Sequence, residues 1–487
     1  MKTTLLCFLF ALLLVGCTEE PQPDGLPPAQ CCQLKEKGLL LGVILPFMRS
    51  SQHIFDNLAT FIHTNTFKES HRLRPEDFTR TRVFDFVALI VVQLNRIILS
   101  LSVELENFLD YLKSPKSYSK QAFSQARKKL KFTAFIAINE QFTKSYYQEK
   151  PLVQLWNEAY LLVACDGSLV QLPESNELAD HFGRWKNHTA LGMVMGRASI
   201  LYDVLNRITL AAEFAPCTKG ERELFSKHCK AVEELFLTHK PLFLMDRGYP
   251  SFELCKDLDK AEQAFVIRCK AGFCKEVVAF AKQNIDEAWI EIPPKSWVVQ
   301  GVSKRSKHKV PLKIRVVRIL LPSQEYEYLL TNTTFSLGVL SELYQLRWGV
   351  ETYYGFLKGN LQLENFSAKT IQGVLQDFHA CILTGNLTQL VIKEADLELL
   401  EEGKEEEVGE DKKRKYSYQV NQNVALGILR NRIPDLIFHP EKLAENLVRL
   451  KTKIKKHKVA IIPNRAFERR KQRRNKRKFF FTKKRPF

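Results

Sequence analysis

At 487 residues the chain is long enough for about three domains, and 45% hydrophobic residues supply real cores. Lys and Arg outnumber Asp and Glu by 73 to 54, a net charge of +19 that attracts a polyanion, nucleic acid before an anionic membrane. Eleven cysteines without a CxxC pair or a Cys/His cluster of zinc spacing argue against a structural zinc site and against a disulfide framework.

Residues 1–47 read as a leader. Met1-Lys2-Thr3-Thr4, the apolar run Leu5 to Val15 and Gly16-Cys17 are similar to a bacterial lipoprotein signal, and Pro21 to Pro28 reads as a linker. Such a signal would tether Cys17 to a membrane outside the cytoplasm. Cys165, Cys255, Cys269 and Cys381, in apolar surroundings, fit a reducing compartment instead. The expectation is therefore a cytoplasmic, nucleoid-associated protein with an internal start at Met48 and a leader foreign to its function.

Residues 48–150 are read as a helical, DNA-binding N-terminal region. Phe84 to Leu112 follows a 3.6-residue apolar rhythm until Ser114-Pro115 breaks it. Its apolar run Phe86 to Val92 stops at Gln93, short of the ~20 residues of a membrane span, and is expected to be a buried helix. Ser119 to Leu130 opens on a capping Ser and carries its cations along a helix; a DNA-contacting helix and an ordinary basic surface helix fit it equally.

From 151 to 393 the texture is α/β. Tyr160 to Cys165 is a short apolar run ending at Asp166-Gly167-Ser168, a buried strand that delivers an acid at its C-terminal end. Ala190 to Ile200 and Leu201 to Ala212 suit antiparallel strands, Glu221 to Leu237 a helix. Pro241 to Met245 is a second apolar strand ending in an acid, Asp246, and Ser251 to Ala264 is helical again. Residues 265–331 are β-branched and basic, with strands expected at Val298-Val299, Ile314 to Val317 and Tyr326 to Leu330, and read as a β-rich insertion. The charged stretch 394–416 is expected to be a linker or loop, and 417–487 a helical C-terminal region with a basic tail. Residues 465–487 of that tail hold twelve Lys or Arg against the single acid Glu468.

The densest chemical signal is Tyr344-Gln345-Leu346-Arg347-Trp348-Gly349-Val350-Glu351, continued through Thr352 to Lys358. On one α-helix Tyr344, Arg347, Glu351 and Lys358 share an arc of roughly 60°, and Leu346, Val350, Tyr353 and Leu357 take the packing side. One face then presents a carboxylate flanked by two cations and a phenol, the equipment of a phosphoryl-transfer site. Alone, the pattern suits an amphipathic surface helix equally well. Joined to Asp166 and Asp246, it gives three acids that strand ends on one edge of a mixed sheet bring together. Oxygen ligands without His or Cys select two Mg²⁺ or Mn²⁺ ions over zinc. Asp203 is the best rival acid, with a strand-turn role favoured.

On these residues the chain resembles the DDE transposases of bacterial insertion sequences, in insertion-sequence family four, whose branch signature is Tyr, two residues, Arg, three residues, Glu, six residues, Lys. Tyr344, Arg347, Glu351 and Lys358 match that signature without a gap; Cys-Asp-Gly-Ser at Asp166 and Met-Asp-Arg-Gly-Tyr at Asp246 match the first two acids. Thr331-Asn332 and Ser119 to Leu130 also resemble this family, over roughly residues 48–400. The resemblance implies an α/β, RNase H-like catalytic core with a β-rich insertion between Asp246 and Glu351, flanked by helical N- and C-terminal regions. It implies Asp166, Asp246 and Glu351 as catalytic metal ligands, and Tyr344, Arg347 and Lys358 on DNA phosphates. Trp289 or Trp297 is implied to stabilise a flipped base. Cut-and-paste transposition through hairpin ends follows, on double-stranded DNA of the terminal inverted repeats and the target, by a homodimer and with no small-molecule substrate. The alternative from a different class is a catalytically inactive, transposase-derived DNA-binding protein. A third reading, a lipoprotein on an anionic surface, rests on residues 1–30 alone.

Overall fold

The computed structural model describes residues 44–462 apart from 81–83, 96–99, 116–117, 186–191, 295, 300–301, 322–323 and 410–415. The leader's signal, Cys17 and the basic tail lie outside these residues. The N-terminal region is helical, as α1 (Ile44–His63), α2 (Asn65–His71), α3 (Phe86–Leu94), α4 (Leu101–Tyr111), α5 (Lys120–Arg127) and α6 (Thr133–Gln148). Short polar side chains start these helices. Asp85 accepts from the Ala88 amide and Ser119 from the Ala122 amide, satisfying N–H groups that have no helical partner. The apolar run is the buried helix α3, with Ala88 to Leu94 all buried. The 3.6-residue rhythm of Phe84 to Leu112 is carried by two helices, α3 and α4. Among the described residues no helix is long and apolar enough to cross a membrane.

Next come β1 (Leu161–Gln171), α7 (Asn176–Phe182), β2 (Arg184–Trp185), β3 (Met193–Asp203), β4 (Ile208–Pro216), α8 (Glu221–Ala231), α9 (Glu233–Thr238), β5 (Pro241–Met245), α10 (Phe252–Lys260) and β6 (Ala264–Cys269). After α11 (Lys275–Lys282) follow β7 (Glu287–Ile292), β8 (Ser296–Val299), β9 (Val302–Arg305), β10 (Leu312–Leu320) and β11 (Tyr326–Thr331). One nine-stranded mixed sheet runs β3-β1-β5-β6-β11-β10-β7, with β2 and β4 both paired to β3. β1, β5 and β6 are mutually parallel, while β3 and β11 run antiparallel to their neighbours. β6, inside the span read as insertion, thus extends the parallel core. β11, β10 and β7 continue the same sheet beyond it, and β8 and β9 form a separate hairpin.

Period-two alternation gives both faces a core. Leu161, Val163, Cys165, Phe243 and Met245 pack on one side with Phe225, Phe252 and the helices of both chain ends. Leu162, Ala164, Leu242 and Leu244 pack on the other with the helices that precede and follow Arg347. The expected break between two strands at Ile200/Leu201 falls later, at 204–207. There Asp203 accepts from the amides of Leu205 and Asn206 and from the Asn206 side chain, and the Tyr147 hydroxyl donates to it. Turn chemistry, not strand propensity, places that corner, and Asp203 is fully buried in it.

After α12 (Leu337–Leu346) and α13 (Trp348–Gly359), the 39-residue helix α14 (Ile371–Gly409) packs against the N-terminal helices, β4 and the C-terminal β12 (Tyr418–Val420), α15 (Gln422–Arg430) and α17 (Leu443–Lys455); α16 (Ile433–Phe438) and β13 (Lys458–Ala460) also lie among the described C-terminal residues. The acidic stretch expected as a linker is therefore helical as far as Gly409. Its Glu and Leu content favours helix, and Lys451 and Lys455 bind Glu394, Glu398 and Glu402 on its surface, replacing the repulsion of like charges by cross-helix pairing. Glu394 also accepts from the backbone amide of Ser51 and thereby joins the first helix to the C-terminal one. Cys165, Cys255 and Cys269 are buried free thiols, as their apolar neighbours indicated.

The basic helix α5 has a divided character. Lys120 and Lys128 are exposed, but Arg127 points inward. Its guanidinium donates to Gln93, Ser367, Gly373, Gln376 and Asp377, tying α5 to α3 and α14.

Candidate active site

β5 is shorter than β1, and that difference opens the site. Their parallel pairing runs from Leu161↔Pro241 to Cys165↔Met245 and then stops. The next residue on each strand is an acid, Asp166 and Asp246, delivered side by side where the sheet splits. Open α/β sheets present ligand sites in such crevices beyond strand C-termini. β1 does not end there, as its sequence suggested; it continues to Gln171 because β3 pairs with it through Gln171↔Met195. Asp166 thus sits within a strand that has lost one neighbour.

Tyr344 to Lys358, expected as one helix, is two. Arg347 is the joint: its amide bonds to the Tyr344 carbonyl and its carbonyl accepts from Val350, both at i,i+3 spacing. Val350, Tyr353 and Leu357 are buried as the periodicity required, and Leu346 is half-buried. Gly349 allows the close approach, since a Cβ there would lie 2.9 Å from Val204 Cγ1. On the same helix Tyr354 donates its hydroxyl to the backbone carbonyls of Asp166 and Ala198, both at 3.1 Å, so α13 is registered directly on β1 and β3.

The signature side chains converge on this crevice. Arg347 is 2% exposed and binds Glu351 Oε1 at 2.6 Å, with its guanidinium over the rings of Tyr344 and Trp348. The Tyr344 hydroxyl reaches Asp246 Oδ1 at 3.5 Å, a long contact. Lys358 Nζ donates to Ser168 Oγ at 2.7 Å and the Leu169 carbonyl at 2.8 Å, gripping β1 just past Asp166. Arg347 and Lys358, expected on phosphates, are both partnered within the protein. Trp289 is half-exposed on β7 with Lys313 over its ring, and the Trp297 side chain lies outside the described residues.

Electrostatics mark Asp166. Burial pushes its carboxyl up to about 6, with Glu221 and Glu351 adding to the shift and the Gly167 amide and Arg347 opposing it. A carboxylate kept from water without enough positive charge fits a site for a cation. Burial opposes the charge of Arg347, but Tyr344, Glu351 and Asp246 outweigh it and hold the guanidinium above its ordinary value. Burial lowers the Lys358 ammonium, offset in part by Glu364 and Asp166. Among the described residues no three His, Cys, Asp or Glu side chains already close on one metal position. The donor set is nevertheless carboxylate and open, which suits a hard divalent ion. Glu221, which sequence reading passed over as the start of a helix, stands beside these acids. No sequence signal marks it, because its place depends on how α8 lands on the sheet.

Comparison with family models agrees with this architecture. Residues 157–387 match the family model described as "Transposase DDE domain", which spans all three acids and the split in the sheet. Among solved structures, the chain is similar to a piggyBac transposase in a synaptic complex with hairpin DNA, at 13% identity over 87% of each chain with a TM-score of 0.41. No curated protein matches. The core is RNase H-like, and the family match supports a DDE transposase.

Proposed function

We propose, from the transposase DDE match, that the chain binds the terminal inverted repeats of an insertion sequence of the Tyr-Arg-Glu-Lys branch. We propose that it cuts and rejoins them by cut-and-paste transposition through hairpin ends, as a homodimer. The observation that carries this reading is the register of β1 and β5, which sets Asp166 and Asp246 side by side at a split edge with Glu351 on the adjoining helix. Asp166, Asp246 and Glu351 would hold two Mg²⁺ or Mn²⁺ ions. Such a pair supplies a nucleophilic oxygen and stabilises the leaving one in an in-line displacement at phosphorus.

The remaining work belongs to side chains already in place. Arg347 holds the Glu351 carboxylate through its guanidinium, and that same guanidinium would be the donor for a phosphate oxygen beside the site. Lys358 braces the strand that carries Asp166 and lies close enough to the acid to feel its charge, which suits a phosphate contact near the cleaved end. Tyr344, with its hydroxyl 3.5 Å from Asp246 Oδ1, would contact the same DNA backbone. Strand hydrolysis gives a 3′-OH and a 5′-phosphate; attack of that hydroxyl on the opposite strand breaks one P–O bond for each one formed.

The test is strand cleavage of a linear duplex carrying the repeats that flank the chain's own gene, in Mg²⁺, by the full chain and its Glu351→Ala variant. End-specific cutting by the first and none by the second, at equal DNA binding, is the expected result. Binding without cutting by both would replace this reading with an inactive DNA-binding protein.

A pH dependence follows from Asp166. Its carboxyl sits at about 6, and a proton there competes with a metal ion. Cleavage at limiting Mg²⁺ is expected to fall as pH drops through about 6, roughly tenfold per pH unit below it, and raising Mg²⁺ should move that limb to lower pH. A rate–pH profile at two Mg²⁺ concentrations checks both.

A further inference from the structure

We infer that Glu221, held by Arg197, is a positioning residue that sets the spacing of the two catalytic aspartates. This rests on the proposed metal-dependent reading of the same site. Each aspartate is followed closely by a glycine, Gly167 and Gly248, and the Glu221 side chain lies against both. A Cβ on Gly167 would stand 3.0 Å from Glu221 Cγ and Oε1; a Cβ on Gly248 would stand 2.8 Å from Oε2. One carboxylate therefore turns one oxygen to each strand end. A side chain at either place would have to push the Glu221 carboxylate aside.

The strut is anchored at its own ends. Arg197 Nη1 donates to Glu221 Oε1 at 2.8 Å and Nη2 reaches the Cys217 carbonyl at 3.4 Å. Arg197 belongs to β3, opposite Leu169 of β1, so the pair is tied to the strand that carries Asp166. Glu221 begins α8, whose Leu224, Phe225 and His228 are buried, and His228 Nε2 bonds Ser199 Oγ of β3 at 2.9 Å. The helix cannot slide without breaking these contacts. Parallel pairing ends at Cys165↔Met245, so nothing in the backbone ladder holds Asp166 and Asp246 at a set distance beyond it. The Arg197–Glu221 pair occupies that place. Partnered by Arg197, Glu221 acts on the metal site through the two strand ends and not as a ligand.

Mn²⁺ binding to the full chain without DNA, by calorimetry, and cleavage against Mg²⁺ concentration test this with Glu221→Ala and Glu221→Gln. Gln keeps the volume and the acceptor for Arg197. Expected for Glu221→Ala is a loss of at least ~10-fold in Mn²⁺ affinity and a matching rise in the Mg²⁺ needed for half-maximal cleavage, at unchanged DNA affinity, with Glu221→Gln within ~3-fold of wild type. Unchanged Mn²⁺ affinity in Glu221→Ala overturns the inference. Equal losses in both variants overturn it too, because they would make the charge itself a ligand. Should Glu221→Ala fail to fold, Gly248→Ala carries the same test, with the same metal loss expected and unchanged affinity overturning it. A wild-type chain that binds Mn²⁺ yet cuts no DNA removes the transposase reading and leaves the strut standing; one that binds no Mn²⁺ removes both.

Discussion

Asp166→Asn is expected to stabilise the metal-free protein at pH 7 by on the order of 1–3 kcal/mol while reducing strand cleavage by at least ~10³-fold. The two effects have one cause. Burial against the split edge of β1 raises the carboxyl to about 6, so folding at neutral pH holds a charge where the protein offers it too little compensation. A raised acid favours the protonated native state. Its cost is absent below the ordinary value of 3.8 and grows as pH rises to about 6. Asn removes the charge and the cost together, so the stability gain should vanish near pH 4 and be complete above about 6. The same substitution would delete a ligand oxygen of the proposed metal site, so Mg²⁺ should raise the denaturation midpoint of wild type and leave the variant unmoved. Urea denaturation at pH 4 and pH 7, with and without Mg²⁺, reads all of this. A variant less stable than wild type at pH 7 would show that Asp166 is ordinary structure.

Asp377→Ala is expected to destabilise the protein by about 3–5 kcal/mol, among the largest losses available outside the hydrophobic core. Asp377 meets the Arg127 guanidinium at 2.9 Å, and both side chains are almost fully buried. Asp377 also accepts from the amide and hydroxyl of Ser367. Removing it leaves a buried guanidinium whose remaining partners among the described residues are the neutral acceptors of Gln93, Ser367, Gly373 and Gln376. Arg127→Met with Asp377→Leu should recover most of the loss, because two apolar groups leave no uncompensated charge. Chemical denaturation of the two single variants and the double variant gives the coupling energy. Near-zero coupling would mean that the N-terminal helices dock by apolar packing alone.

That buried pair also explains why the chemistry of α5 was not legible. A row of cations on a capped helix suits a DNA contact or a solvated face, and the sequence holds nothing to distinguish them. Once α14 packs alongside, Arg127 is drawn into the interior while Lys120 and Lys128 stay outside. The acidic stretch at 394 was ambiguous for a similar reason. Its charges read as solvated until Lys451 and Lys455 of a helix some 50 residues later supply the partners.

Local order was legible wherever a short-range pattern carries the physics. Apolar runs ending in Asp166 and Asp246 are strands because a strand buried on both faces needs continuous apolar residues. The packing side of Tyr344 to Lys358 is likewise set by a rotation of about 100° per residue, and Val350, Tyr353 and Leu357 are buried accordingly. Capping Ser and Asp residues start helices by satisfying their own neighbours' amides. These relations span a few residues, so the sequence by itself determines them. It also determined the α/β class and offered Asp166, Asp246 and Glu351 as candidate acids.

Tertiary structure alone decided where those acids stand. β1 outruns β5 because β3 supports its far half, and only that pairing turns Asp166 from a strand end into a residue at a split edge. The break at Arg347 arises where its side chain is buried against Glu351 and two aromatic rings. Glu221 enters the site through the placement of α8 on the sheet, with Gly167 and Gly248 making room. Each of these is a contact between elements distant in sequence. Their energies depend on burial and on partners that exist only when the chain is folded.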